Sequence, residues 1–172
     1  MPLEFSSDAY DISSVPNNLP TPDYEYEGGF IGRDEDIKKI LKLLEEEQFR
    51  VITIAGAGGV GKTALALRVI QKILQKRESM FDGVVWLSAK ETKLSYLGIE
   101  DIESTVKNYE QLLDTIFEVM GFGSPSVTLD KKESDVNTIF DLHNRILIAI
   151  DNLETIDDDR IINFIIESPP KI

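Results

Sequence analysis

Apolar positions recur along this chain in two rhythms. The first is helical: Ile37, Ile40, Leu41 and Leu44 within 34–47, then Leu65, Ala66, Val69, Ile70, Ile73 and Leu74 shortly after a glycine-rich stretch. Each set falls on one stripe of a 3.6-residue period. The same spacing at Tyr109, Leu112, Leu113, Ile116, Phe117 and Met120, followed by Gly121, predicts the best-defined helix and its C-cap. Weaker helical patterns cover 133–143 and 157–167, the latter closed by Pro169-Pro170. The second rhythm is a set of unbroken apolar runs of strand length, at 51–55, 84–88 and 146–150. They predict three buried strands, the second entered through a turn at Phe81-Asp82-Gly83 and the third ending in Asp151. Strand, helix and strand in alternation predict an α/β domain with a parallel sheet. Residues 1–29, with Pro16, Pro20 and Pro22 among polar residues, predict an extended arm, and 30–172 a single domain. The polar stretch 89–107 reads as a surface insertion, and 122–132 as a loop.

Composition narrows this picture in three ways. With 172 residues, 42% of them hydrophobic, the chain supports one core rather than two. A net charge of −13 argues against a nucleic-acid surface of its own, because phosphate contacts need clustered Lys and Arg. There is no cysteine, no signal-peptide pattern in 1–10 and no apolar run of membrane-spanning length, so no membrane partner is expected and cytoplasmic is the simplest address.

The chemistry concentrates at Gly56-Ala57-Gly58-Gly59-Val60-Gly61-Lys62-Thr63, a full match to GxxxxGK[ST] between a predicted strand and a predicted helix. A polyphosphate must be wrapped by backbone N–H groups beside a helix N-terminus, and glycine allows the close approach. Lys62 then reaches the outer phosphates and the Thr63 hydroxyl takes Mg²⁺. A glycine turn without a ligand is the bland reading. Chance alone would produce the match less than about once in a hundred such chains. Asp151, at the end of an apolar run, offers a fixed carboxylate to orient the water shell of Mg²⁺. Taken alone it would read as a turn residue, and the phosphate loop is what favours the metal role. Glu154 could activate an attacking water as general base, or be a solvated turn acid; the sequence leaves both open. Asn152 cannot be that base, since an amide does not accept a proton. Trp86 reads as core, His143 as structural, and acidic pairs such as Glu35-Asp36 as complements to helix N-termini.

These residues resemble the NB-ARC family of STAND-class NTPases, over most of 17–172. Phe30-Ile31-Gly32-Arg33 resembles the family's entry motif, which packs at the adenine end of the nucleotide. The phosphate loop with Ala64-Leu65-Ala66, the Phe81 to Trp86 stretch and the Ile146 to Glu154 stretch resemble three further family segments. Where plant members carry two aspartates this chain has Asp151-Asn152, as in bacterial regulators, so catalysis by a second aspartate does not carry over. The resemblance implies a three-layer P-loop NTPase fold with sheet order 5-1-4-3-2. It also implies that Ile172 precedes the family's sensor strand, leaving a gap between 51–55 and 146–150, and so either a chain of low stability or a gap closed by a partner or by rearrangement. The helical lid, winged-helix subdomain and sensor of the family would lie outside it.

The function so implied is a switch that binds ATP or ADP with Mg²⁺, in signalling for antiphage or innate immune defence or for cell death. Slow hydrolysis and nucleotide-dependent homo-oligomers are implied for the full-length protein, and an inactive fragment for this chain alone. A STAND transcription regulator using the same ATPase is the alternative, and its mark would be a DNA-binding domain nearby. A partitioning ATPase would want lysine where Ala57 stands, and the absence of Asn-Lys-x-Asp leans away from guanine.

Overall fold

The computed structural model describes residues 15–20, 32–76, 80–89, 92–95, 98–101, 106–123, 128–143 and 145–167, with 92–95 and 98–101 by backbone alone. In chain order the elements are α1 (Asp34–Glu45), α2 (Lys62–Leu74), β1 (Gly83–Ser88), β2 (Thr92–Ser95), β3 (Gly98–Asp101), α3 (Tyr109–Val119), α4 (Leu129–Leu142), β4 (Ile146–Asp151), a 3₁₀ turn at Leu153–Thr155 and α5 (Asp159–Glu167).

β1 and β4 pair in parallel, from Gly83 opposite Ile146 to Ser88 opposite Asp151. Side chains alternate across a strand, so these two apolar runs divide between two cores. Val85, Leu87, Ile146 and Ile148 face α3, α4 and α5. Val84, Trp86 and Leu147 face α1 and α2. Helices therefore cover both faces of the sheet, which is the three-layer α/β arrangement.

Helix α3 shows how local sequence sets an element. The Asn108 side chain accepts from Gln111 N–H at 3.0 Å while the Gln111 side chain accepts from Lys107 N–H at 2.7 Å, so two orphan donors at the helix start are satisfied reciprocally. At the other end Phe122 N–H reaches Phe117 C=O at 3.0 Å and Gly121 N–H reaches Glu118 C=O at 3.2 Å. Gly121 sits at φ 80°, the left-handed turn that closes a helix in this way.

The structure corrects three expectations. Residues 51–55 pair with no strand among the described residues, and Val51 is 44% exposed. Ile52 and Ile54 pack on the core beside α2, and 51–55 line, together with 147–151 of β4, a groove of about 600 Å³. An apolar run sets a strand-like alternation by itself, but a strand needs a neighbour at hydrogen-bonding distance. The second correction is α4, which begins at Leu129 rather than at 133. Its first turn lacks an apolar stripe because Lys132 takes the inward position, its buried ammonium 2.8 Å from Glu110 and 2.7 Å from Asp114 on α3. Burial acts to lower the Lys132 pKa, but these two carboxylates outweigh it and the net direction is upward. Third, the stretch 89–107, which shows no clear period in sequence, contains the antiparallel hairpin of β2 and β3, with Thr92 opposite Asp101.

Asp158 ties α5 to α3. It accepts from Tyr109 N–H at 2.9 Å and from Arg160 through the backbone and both guanidinium contacts, at 2.8–3.1 Å. The Arg160 guanidinium is the main reason that its pKa is held well below the usual carboxylate range. A depressed folded-state pKa gives stability that is present above the unfolded-state value, about 4, and lost as pH falls through the folded-state value. Asp158→Ala is expected to lower unfolding stability at neutral pH by about 1–3 kcal/mol. Urea melts from pH 7 down to 3 should show the two proteins converging below about pH 4; a constant gap would assign the loss to packing.

Candidate functional site

The phosphate-loop sequence forms a turn between the unpaired segment 51–55 and the N-terminus of α2. Gly59 and Gly61 hold φ of 78° and 81°, conformations that side chains disfavour, and Gly61 is the residue preceding the first helical position, Lys62. The N-terminus of a 13-residue helix thus opens onto the loop, with its unpaired N–H groups and dipole favouring an anion. Lys62 Nζ lies on the loop itself, donating to Gly56 C=O at 2.9 Å and to Ala57 C=O at 3.2 Å. Ala57, Gly58, Gly59 and Val60 are exposed, and Ala64 is half-buried as α2 turns into the core.

Thr63 and Asp151 are 88 positions apart in sequence, yet Thr63 Oγ1 donates to Asp151 Oδ1 at 2.8 Å. Two elements produce this meeting: α2 presents Thr63 on its first turn, and β4 delivers Asp151 at its last position. β1 fixes that end of β4, because Ala89 N–H donates to Asp151 C=O at 3.2 Å. The next residue, Asn152, adopts φ 58° and turns the chain away into the 3₁₀ turn that carries the exposed Glu154. Asparagine tolerates this left-handed conformation better than most residues, so the Asp-Asn pair ends the strand and makes the turn together.

Of the expected entry motif, Phe30 and Ile31 lie outside the described residues. Gly32 takes φ 91°, and Arg33 precedes α1 with its guanidinium donating to Val60 C=O at 2.5 Å. The structure thus brings Arg33, the phosphate loop, Thr63 and Asp151 to one side of the molecule. Glu154 lines the same groove as Gly56, Lys62 and Asp151. His143 ends α4 away from these residues, its ring edge-on to Phe122 at 6.4 Å.

The residues fit a hydrated Mg²⁺. The Thr63 hydroxyl and the Asp151 carboxylate are hard oxygen donors of the kind that ion takes, and they meet beside the N-terminus of α2. Among the described residues no three Asp, Glu or His side chains cluster as a protein-only cage.

The NB-ARC domain matches residues 33–160 of this sequence, three-quarters of the chain, and the match spans Arg33, the phosphate loop and Asp151. The chain belongs to the NB-ARC family. It therefore contains a nucleotide-binding module of the P-loop, STAND type. A probable disease resistance protein of Arabidopsis thaliana, RXW24L, is 28% identical over 127 residues, covering 66% of this chain and 14% of the relative. Disease resistance protein RPP8, also from Arabidopsis thaliana, is 37% identical over 62 residues, 36% of this chain and 7% of its own. A nucleotide-binding leucine-rich repeat (NLR)-like protein of the fungus Hyaloscypha variabilis is 39% identical over 64 residues, 35% of this chain and 6% of its own. This NB-ARC chain spans 14% or less of the length of these curated relatives. No solved structure matches it. Among the described residues no helix is long and apolar enough to cross a membrane.

The sequence missed two contacts: Asn17 and Asn18 along β1 and the Arg33 link to Val60. The arm offered only a weak signal, two adjacent asparagines between prolines.

Proposed function

We propose that this chain is the nucleotide-holding part of a signalling switch in defence or regulated cell death, taking ADP or ATP with Mg²⁺. The observation that carries the reading is the 2.8 Å contact of Thr63 with Asp151 beside a helix N-terminus wrapped by glycines. In this reading the N–H groups of 57–63 and the Lys62 ammonium hold the phosphates, while Thr63 and Asp151 hold Mg²⁺ directly or through its waters. The ion, when bound, would neutralise charge on the outer phosphates. Arg33 braces the loop through Val60, and the resemblance of Phe30-Ile31-Gly32-Arg33 to the family's entry motif supports a role for this segment at the base. The names of the relatives support a defence role, in which ADP and ATP favour different conformations of a longer protein and ATP favours assembly of copies. Such a switch requires the two nucleotides to bind the two states with different affinity.

Titration calorimetry with ADP and ATP, each with and without Mg²⁺, tests the reading. Binding strengthened by Mg²⁺ is expected; absence of heat for both nucleotides at millimolar concentration would overturn it. If the longer protein hydrolyses ATP, Glu154 would orient the attacking water, a role supported by its sharing one groove with Lys62 and Asp151. Glu154→Gln in that protein is expected to keep ATP affinity and to lower turnover by about 100-fold or more. Phosphate release at the wild-type rate would leave Glu154 as a turn acid.

A further inference from the structure

β1 has two edges, and only one of them meets β4. The other edge would present unpaired backbone groups to solvent, a liability that folded proteins cover. Here most of the cover comes from residues 16–18, outside the family-matched segment. Val84 N–H donates to Pro16 C=O at 3.0 Å, and Asn17 forms an isolated parallel bridge with Val84. The next pair of backbone groups is met by a side chain. Trp86 N–H donates to Asn18 Oδ1 at 2.6 Å, and Asn18 Nδ2 donates to Trp86 C=O at 2.9 Å. A carboxamide has the donor and acceptor of a peptide group, so Asn18 substitutes for a backbone peptide of a neighbouring strand. Val106 N–H then meets Ser88 C=O at 3.2 Å. Asn17 stiffens the segment by donating to Val15 C=O at 2.9 Å, and Val15 and Leu19 pack on the core between the sheet and α2.

The covered edge leads to the site within a few residues. Trp86 lies two positions before Ser88, which stands opposite Asp151, and Ala89 N–H holds the Asp151 carbonyl. We infer that Asn18 is a positioning residue for the metal-facing end of the nucleotide site, acting through β1 on Asp151, and that the nucleotide-binding unit begins at or before Val15. The inference rests on the reading of Asp151 given above. It also makes residues 15–20 a structural partner of the site.

The test uses the whole chain carrying Asn18→Ala or Asn18→Asp, with amide hydrogen exchange and ADP calorimetry with and without Mg²⁺. Asn18→Ala is expected to speed exchange at the Trp86 amide by about three- to tenfold, the loss of one hydrogen bond, with the Val85 and Leu87 amides unchanged. It should reduce the Mg²⁺-dependent gain in ADP affinity by about three- to tenfold and leave Mg²⁺-free affinity within about twofold. Asn18→Asp keeps the acceptor for Trp86 N–H and loses the donor to Trp86 C=O. Protection of the Trp86 amide should persist in it while the Mg²⁺ gain still falls, and it carries the same readouts if the alanine variant does not fold. Unchanged exchange and an unchanged Mg²⁺ gain would overturn the inference. A parallel fall of both affinities with the melting temperature would also overturn it, by showing a general loss of fold. Wild-type chain that binds no nucleotide would overturn the proposed function and this role with it, leaving the exchange data to report on the edge alone.

Discussion

Lys62→Ala is expected to weaken binding of ADP and ATP by about 100-fold or more. Hydrogen bonds made to a charged group contribute roughly 1.5–3 kcal/mol each, and an ammonium between two phosphate groups makes at least two, so their loss is worth roughly two decades. The lysine is held against the loop, since its Nζ already lies on the Gly56 and Ala57 carbonyl oxygens at the start of the loop. Substitution should spare the fold, because Lys62 stands at the first helical position with its side chain only half-buried and alanine favours a helix. Calorimetry beside a thermal melt separates the two effects. Equal affinity in both proteins would show that the loop's N–H groups alone carry the phosphates.

Leu87→Ala is the counterpart in the core. Leu87 is fully buried in the middle layer, on β1 opposite Ile150, among side chains from α3, α4 and α5. Truncating a buried leucine removes transfer energy and leaves a cavity, together about 2–5 kcal/mol. Domains of this kind are stable by only about 5–15 kcal/mol in total. A fall in midpoint of roughly 5–20 °C is expected, at about 2–4 °C per kcal/mol. Circular dichroism melts would measure it, and a shift below a couple of degrees would mean that the facing helices close over the gap.

The parts of this fold that were legible in the sequence are those set by local pattern. The stripe from Tyr109 to Met120 gave α3 and its glycine stop, and the runs at 84–88 and 146–150 gave the two strands that pair. The phosphate loop was legible because three chemical requirements coincide in eight consecutive residues. What escaped depended on partners distant in sequence. Lys132 read as a loop residue, and only α3's Glu110 and Asp114 make it an interior one. Asn18 became informative only once Trp86 lay beside it. The open side of 51–55, by contrast, was implied by the family's sheet order, and across the groove none of the described residues pairs with it.

That groove also governs how the chain behaves among copies of itself. Its walls, 51–55 and 147–151, are two extended apolar faces, and Ile162 of α5 at the same opening is 42% exposed. Stickiness of this kind is opposed by mutual repulsion, because every molecule carries thirteen excess negative charges. Ionic strength therefore decides colloidal behaviour. Dilute buffer keeps molecules apart, while the Debye length shrinks to about 10 Å at 0.1 M salt and lets neighbouring surfaces touch.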